Sequence, residues 1–205
     1  MARTPLHETA RRYAEAGIPV FPCRVGGKEP ATPRGFKDAS TDLEQIDRWW
    51  SEADYNIGLE PEKAGWAVID IDDLNSWENL NGLHCPTEQQ LTYTIGTPNG
   101  GRHLYFQGSL PGSVGKLGRG IDTRGRGSYV LVPPSIVAGR HYTVLDDRDP
   151  APLPAWIAER LGHSERTRAE APANVTWDDP ETVAWAIEFI KADIAKNGEP
   201  IDGGL

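Results

Sequence analysis

Trp66-Ala67-Val68-Ile69-Asp70-Ile71-Asp72 is the stretch on which the fold turns. It is apolar through residue 69 and β-branched at 68, 69 and 71, a composition that suits a pleated, buried strand. Two carboxylates sit inside it. Side chains alternate along a strand, so Asp70 and Asp72 share one face, about 7 Å apart at Cα by strand rise, while Ile69 and Ile71 point to the other. Burying a carboxylate is costly unless it is paired or bound to a cation. An acid pair at a strand end commonly caps or faces solvent; at the end of so apolar a run it predicts ligands for a hard cation. Asp73, of opposite parity, is the expected N-cap of a short helix through Trp77 and Leu80.

Two further segments repeat the pattern. In Gly101-Arg102-His103-Leu104-Tyr105-Phe106, Leu104 and Phe106 go inward and leave His103 and Tyr105 on the opposite face. In Gly120-Ile121-Asp122-Thr123-Arg124-Gly125, Ile121 anchors the core while Asp122 and Arg124 face the same way. An acid beside arginines is commonly a plain ion pair. A metal-bound acid flanked by cations is also how a site grips a triphosphate, the metal taking some oxygens and guanidinium forks others. The residues alone leave both readings open.

Outward from these segments the chain reads as alternating helices and short strands. Thr4-Pro5 opens a helix that Gly17 ends. Ile18-Pro19-Val20-Phe21-Pro22 suits only an edge strand, because prolines cannot donate to a ladder on both sides. Thr41 with Glu44 predicts a capping box for a second helix carrying Leu43, Ile46, Trp49 and Trp50. Leu91–Ile95 and Arg102–Phe106 read as strands joined by a turn at Gly96–Gly101. Gly108–Gly120 reads as a glycine-rich loop, Ser128–Val132 and His141–Leu145 as strands, and Pro154 as the start of a helix through Leu161. The expected organisation is one domain over residues 1–162, a polar Ala/Pro-rich linker over 163–179 and, over 180–205, the helical start of a following domain.

Composition narrows the class. The 205 residues carry a net charge of −9, which argues against a protein that coats nucleic acid. Between Asn99 and His141, however, stand Arg102, Lys116, Arg119, Arg124, Arg126 and Arg140 against Asp122 alone, a local +5 that leaves −14 elsewhere. A basic groove on an acidic body holds phosphates selectively. Cys23 and Cys85 form no CxxC pair, which disfavours a zinc ribbon or a disulfide scaffold and favours a reducing cytoplasm. No apolar run approaches the about 18–20 residues that span a bilayer, and no signal-type stretch opens the chain. The expectation is a cytoplasmic protein with no membrane partner.

Taken in order, the acid pair, the small-x-His segment and the later hydrophobic-Asp segment resemble the archaeo-eukaryotic primase superfamily. More narrowly they resemble the bifunctional primase/polymerase domain of phage, plasmid and mobile-element replication proteins. The matching positions are Asp70 and Asp72, Gly101-x-His103, and Ile121-Asp122. Pro22–Pro30 with Lys28, Trp49-Trp50, Asn56-Ile57-Gly58, and Gly127-Ser128-Tyr129-Val130 leading to Pro133-Pro134-Ser135 also look like family positions. The resemblance covers about residues 6–161.

It implies an α+β primase fold with an RRM-like mixed or antiparallel catalytic sheet flanked by helices. It implies template-directed nucleotidyl transfer, with Asp70, Asp72 and Asp122 holding two Mg²⁺ or Mn²⁺ ions. His103 and Arg124 would contact triphosphate oxygens, with Lys28 and Arg126 as further candidates. The implied partners are a single-stranded DNA template with its primer, nucleoside triphosphates, and a C-terminal helical and helicase region of the same longer chain. Two departures stand out. Gly101 lacks the hydroxyl a serine would bring, and there are no cysteines for the zinc stem-loop of some relatives. The alternatives are a metal-dependent nuclease, a rolling-circle-type replication protein (for which Gly101-Arg102-His103 offers one histidine where a pair is needed) and a non-enzymatic nucleic-acid-binding module whose acids hold a structural cation.

Overall fold

The structure is a computed structural model that describes residues 4–84 and 91–162; the expected linker over 163–179 and the helix beyond it lie outside the described residues. Helix α1 (Pro5–Glu15) is capped by Thr4, whose hydroxyl accepts from His7 N, and carries proline in its first turn. It packs beside α2 (Leu43–Glu52), and His7 Nε2 and Arg11 Nη1 each reach Asp47 at 2.7 Å to tie the two helices together. The cap of α2 is Asp42, which accepts from Glu44 N, and not Thr41 as the capping-box spacing predicts. The carboxylate one residue nearer the helix reaches the free amide.

Two mainly antiparallel sheets position the site. The smaller orders β1 (Val20–Cys23), β2 (Asn56–Leu59) and β8 (Val130–Val132), with the proline-bearing β1 at its edge as expected. The larger contains β3 (Trp66–Ile71), β4 (Thr94–Gly96), β5 (Arg102–Gln107), β6 (Ser113–Gly118), β7 (Ile121–Arg124) and β11 (Thr143–Asp146), in the order β11-β4-β5-β3-β7-β6. A short β12 (Ala151–Pro152) adds a parallel pairing to β5, so this sheet is mixed in the strict sense. A two-stranded hairpin of β9 (Ile136–Val137) and β10 (Arg140–His141) stands between the smaller sheet and β11 in sequence. The fold is α+β with mainly antiparallel sheets and few helices, compatible with the primase architecture that the resemblance implies.

The segment that opened the sequence analysis is a central strand, flanked by β5 and β7. Its parity sorts the core into two layers. Ala67, Ile69 and Ile71 join Leu104, Phe106 and Ile121 on the face covered by α3 (Leu74–His84) and α4 (Ala155–Arg160). Val68, Ile95, Tyr105 and Tyr142 belong to the other core, shared with α1, α2 and the smaller sheet. Asp70 therefore points between the two sheets and not into solvent. Asp73 caps α3 as expected, with Oδ1 accepting from Ser76 N at 3.1 Å.

Several elements depart from the sequence reading: the strand expected over Leu91–Ile95 runs over Thr94–Gly96, and the one expected over His141–Leu145 is divided between β10 and β11. Residues 113–118 form the edge strand β6, where the glycine content predicts loop. Its pairing with β7 runs from Ser113↔Thr123 to Gly118↔Ile121, so three residues are extra on the β6 side and the strand bulges opposite Asp122.

Candidate active site

Three sequence-distant side chains meet on one cross-strand row. Asp70 on β3 is in register with His103 on β5 to one side and with Asp122 on β7 to the other. The alternation that buries Ile69 and Ile71 on one face thus projects a carboxylate, an imidazole and a second carboxylate together on the opposite face. Arg124, two residues beyond Asp122 and so on the same face, reaches back over both acids. Its Nη2 lies 3.0 Å from Asp70 Oδ2 and 2.9 Å from Asp122 Oδ2, and its Nε donates to Asp70 at 3.1 Å. His103 Nε2 stands 3.4 Å from Asp70 Oδ1.

The cluster is sheltered but open at one side. Side-chain exposure is 14 % for Asp70, 18 % for Asp122 and 30 % for Arg124. Burial by itself would push the Asp70 carboxyl upward. The hydrogen bond and charge of His103, with the charge of Arg124, outweigh it and hold Asp70 below the usual carboxylate value, so it is ionised at neutral pH. His103 is 5 % exposed, and its Nδ1 has no hydrogen-bond partner among the described residues. A buried ring nitrogen of this kind retains capacity for a ligand.

Asp70, His103 and Arg124 line a cleft of about 350 Å³, within the range of small-molecule sites, and Asp122 is tied to it through Arg124. Lys28, Phe36, Tyr129 and Tyr142 line its walls. The Lys28 loop is held in place by groups the sequence marked without explaining. Asn56 Nδ2 donates to Gly27 O at 2.8 Å and to Ile136 O at 2.6 Å, its Oδ1 accepts from Ile136 N, and Tyr129 Oη donates to Lys28 O at 3.2 Å. Ser135, fully buried, accepts from Ile57 N and so ties β2 to the turn before β9. Tyr142 and Phe36 carried no sequence signal, being single aromatics in weakly patterned segments.

The expected residues divide as follows. Asp70, Asp122, His103 and Arg124 come together, and Lys28 lies on the same cleft. Arg126 turns away, its Nε 3.1 Å from Glu62 on the exposed surface. Asp72 falls one residue past the end of β3 and is exposed, its N–H bonded to Gly120 O at 2.8 Å. Among the described residues no group of three or more His, Cys, Asp or Glu side chains is close enough to hold a metal ion. Asp70 and Asp122 thus meet at one guanidinium, while Asp72 lies exposed just past the end of the strand, near enough to Tyr142 for its charge to act on that phenol together with the charge of Asp70.

The pair nonetheless fits a hard divalent ion. Two carboxylate oxygens from adjacent strands already converge on one cationic nitrogen, and Mg²⁺ is commonly held by one or two carboxylates plus substrate phosphates. Gly101 also finds its reason here. A Cβ at that position would lie 2.3 Å from Ile71 O, so the approach of the histidine segment to β3 admits only glycine.

A family model described as bifunctional DNA primase/polymerase, N-terminal, matches residues 10–156. The chain belongs to the Prim-Pol family. The match spans every strand of both sheets and all the cleft residues named above. At the level of the family, Prim-Pol domains are DNA primase/polymerases, acting on DNA and nucleotides. Comparison with individual curated proteins gives no match. Among the described residues no helix is long and apolar enough to cross a membrane.

Proposed function

We propose that this Prim-Pol domain is a template-directed nucleotidyltransferase that extends, and starts, DNA primers from nucleoside triphosphates. The observation that carries the proposal is the row His103–Asp70–Asp122, crossed by Arg124, with His103, Asp70 and Arg124 lining a cleft of about 350 Å³.

In this reading Asp70 and Asp122 hold a Mg²⁺ or Mn²⁺ ion, and Asp72, at the rim, is the candidate ligand for a second. A divalent ion held there would supply Lewis-acid chemistry, favouring ionisation of a 3′-hydroxyl and offsetting phosphate charge. The chain's own groups do the rest. Arg124 moves from the carboxylates to the triphosphate, where its planar fork pairs with two oxygens at once. His103 donates to a phosphate oxygen from its buried position. Lys28, on a loop tied down by Asn56 and Tyr129, adds a point charge at the cleft wall. Asp70, held ionised by its neighbours, needs no pH change to be ready for a cation.

Supplying primed single-stranded DNA, Mg²⁺ or Mn²⁺ and labelled nucleotides tests this directly. Incorporation that depends on the divalent ion supports it; strand shortening in the absence of nucleotides indicates a nuclease instead.

A further inference from the structure

The basic window of the sequence is only partly used by the cleft, which takes Arg124; among the cations it leaves are Lys116 and Arg119. Both fall on the β6–β7 hairpin, and both are exposed. Here the extra residues of β6 bulge opposite Asp122, and Asp122 Oδ1 accepts from Gly115 N at 2.9 Å. Gly115 has φ +64, a left-handed conformation that glycine adopts without strain and that accommodates the bulge. Leu117, 1 % exposed, pins the segment to the helix-side core, while Val114 stands 77 % exposed. Lys116 makes no ion pair among the described residues. Arg119 lies near enough to Asp73 to help lower its carboxyl, after the hydrogen bonds from Ser76. Gly120 O accepts from the N–H groups of Asp72 and Asp73, so the hairpin tip is fastened to the segment that carries Asp72.

We infer that this bulged hairpin is the surface on which the backbone of the DNA strand being extended lies, its last phosphates on Lys116 and Arg119 and a sugar or base against Val114. The inference rests on the polymerase reading of the cleft, since a strand whose 3′ end is placed at Asp122 must leave over the structure nearest to that acid. Charge favours such an occupant: two cations project from a chain of net −9 at the one edge that abuts the carboxylate row. A bulge and a lysine also blunt an edge strand against pairing with another chain. An exposed valine on the same edge works against that purpose and suits an amphipathic nucleic-acid strand.

The test compares wild type with Lys116→Ala/Arg119→Ala on two DNA probes, a primer–template with a recessed 3′ end and the same template unprimed. Fluorescence anisotropy across a salt series gives the affinities, and binding of Mn²⁺–nucleotide without DNA serves as the control. The expected result is about a tenfold or greater loss of affinity for the primed probe. The slope of log Kd against log salt should fall by about 2, one for each lost phosphate contact. The unprimed strand should lose less, and Mn²⁺–nucleotide binding should be unchanged. Equal losses on both probes would make the hairpin a template contact and overturn the assignment, as would unchanged affinity for the primed probe. Wild-type protein that does not bind primed DNA at all overturns the polymerase reading, and this surface with it.

Discussion

Asp70 and Asp122 stand directly opposite each other on neighbouring antiparallel strands, and one nitrogen of Arg124 lies 3.0 and 2.9 Å from an oxygen of each. A guanidinium thus holds the position a metal ion would take between two carboxylates. Removing that cation leaves two half-buried acids to repel each other and to attract any other cation. Arg124→Met should therefore tighten Mn²⁺ binding in the absence of nucleotide while weakening nucleotide binding about tenfold or more, in line with the strength of a charge-assisted pair. Calorimetric titration with each ligand measures both. Tighter nucleotide binding in the variant would contradict the role given to Arg124.

Asp70→Asn and Asp122→Asn keep shape and lose charge. Each should lower nucleotide incorporation by about a hundredfold or more, the scale on which loss of aligned electrostatic stabilisation is felt. Circular dichroism and thermal melting should show both variants folded, because an amide can still accept from Arg124. Near-wild-type incorporation by either variant would remove that acid from the site.

His103 is buried against Tyr105 and Tyr142, with ring centroids 6.4 and 5.7 Å away, so its replacement needs a shape control. His103→Gln should raise the KM for nucleotide with a smaller effect on kcat, since a contact to triphosphate oxygens is made in the ground state as well as the transition state. An unchanged KM would make the histidine a packing residue only.

Gly101→Ser supplies the hydroxyl that related histidine motifs carry, at a backbone position where a Cβ meets Ile71 O at 2.3 Å. The clash is with main chain on the central strand and cannot be relieved by a rotamer. A loss of about 1–3 kcal/mol in denaturant unfolding is expected, the range for overpacking in a tight interior. Full stability with improved nucleotide binding would show that β5 can shift.

Burial pushes the Cys23 thiol up to about 12 and, joined by the charges of Asp70 and Asp72, pushes the Tyr142 phenol to about 12 as well. Both are neutral when protonated, and both hold the proton more tightly in the fold than in the unfolded chain. The stability they contribute is whole below the unfolded values, 9.0 for the thiol and 10.0 for the phenol, and is lost as pH rises toward 12. Melting temperature should therefore fall steadily above about pH 9. Alkylation at pH 8.5, followed by mass spectrometry, should leave Cys23 unmodified until denaturant is added.

Much of this was legible in the chain because it depends on period 2. The Trp66–Ile71 strand, the paired orientation of Asp122 and Arg124, and the Asp73 cap follow from residues close together in sequence, and each is found. The edge strand β6 was not legible. Gly112, Gly115, Gly118 and Gly120 carry no strand preference, and the segment becomes a strand only by pairing with β7 across an irregular register. The exposure of Asp72 was not legible either, since it lies one residue past the point where the ladder stops. The bridging of Asp70 and Asp122 by Arg124 needed the register between strands 54 residues apart, which no local pattern encodes. Asn56 and Ser135 stood out in the sequence, but that Asn56 stitches the Lys28 loop to β9 and Ser135 accepts from β2 is visible only once those segments are folded together.

The most direct measurement is single-nucleotide extension of a labelled primer on a template, with Mg²⁺ or Mn²⁺, by wild type, Asp70→Asn and Asp122→Asn in parallel. The expected result is template-matched incorporation by wild type, abolished by chelation and by either substitution. Extension that survives removal of both carboxylates, or wild-type protein that binds nucleotide and primed DNA yet never joins them, would contradict the assignment of this cleft.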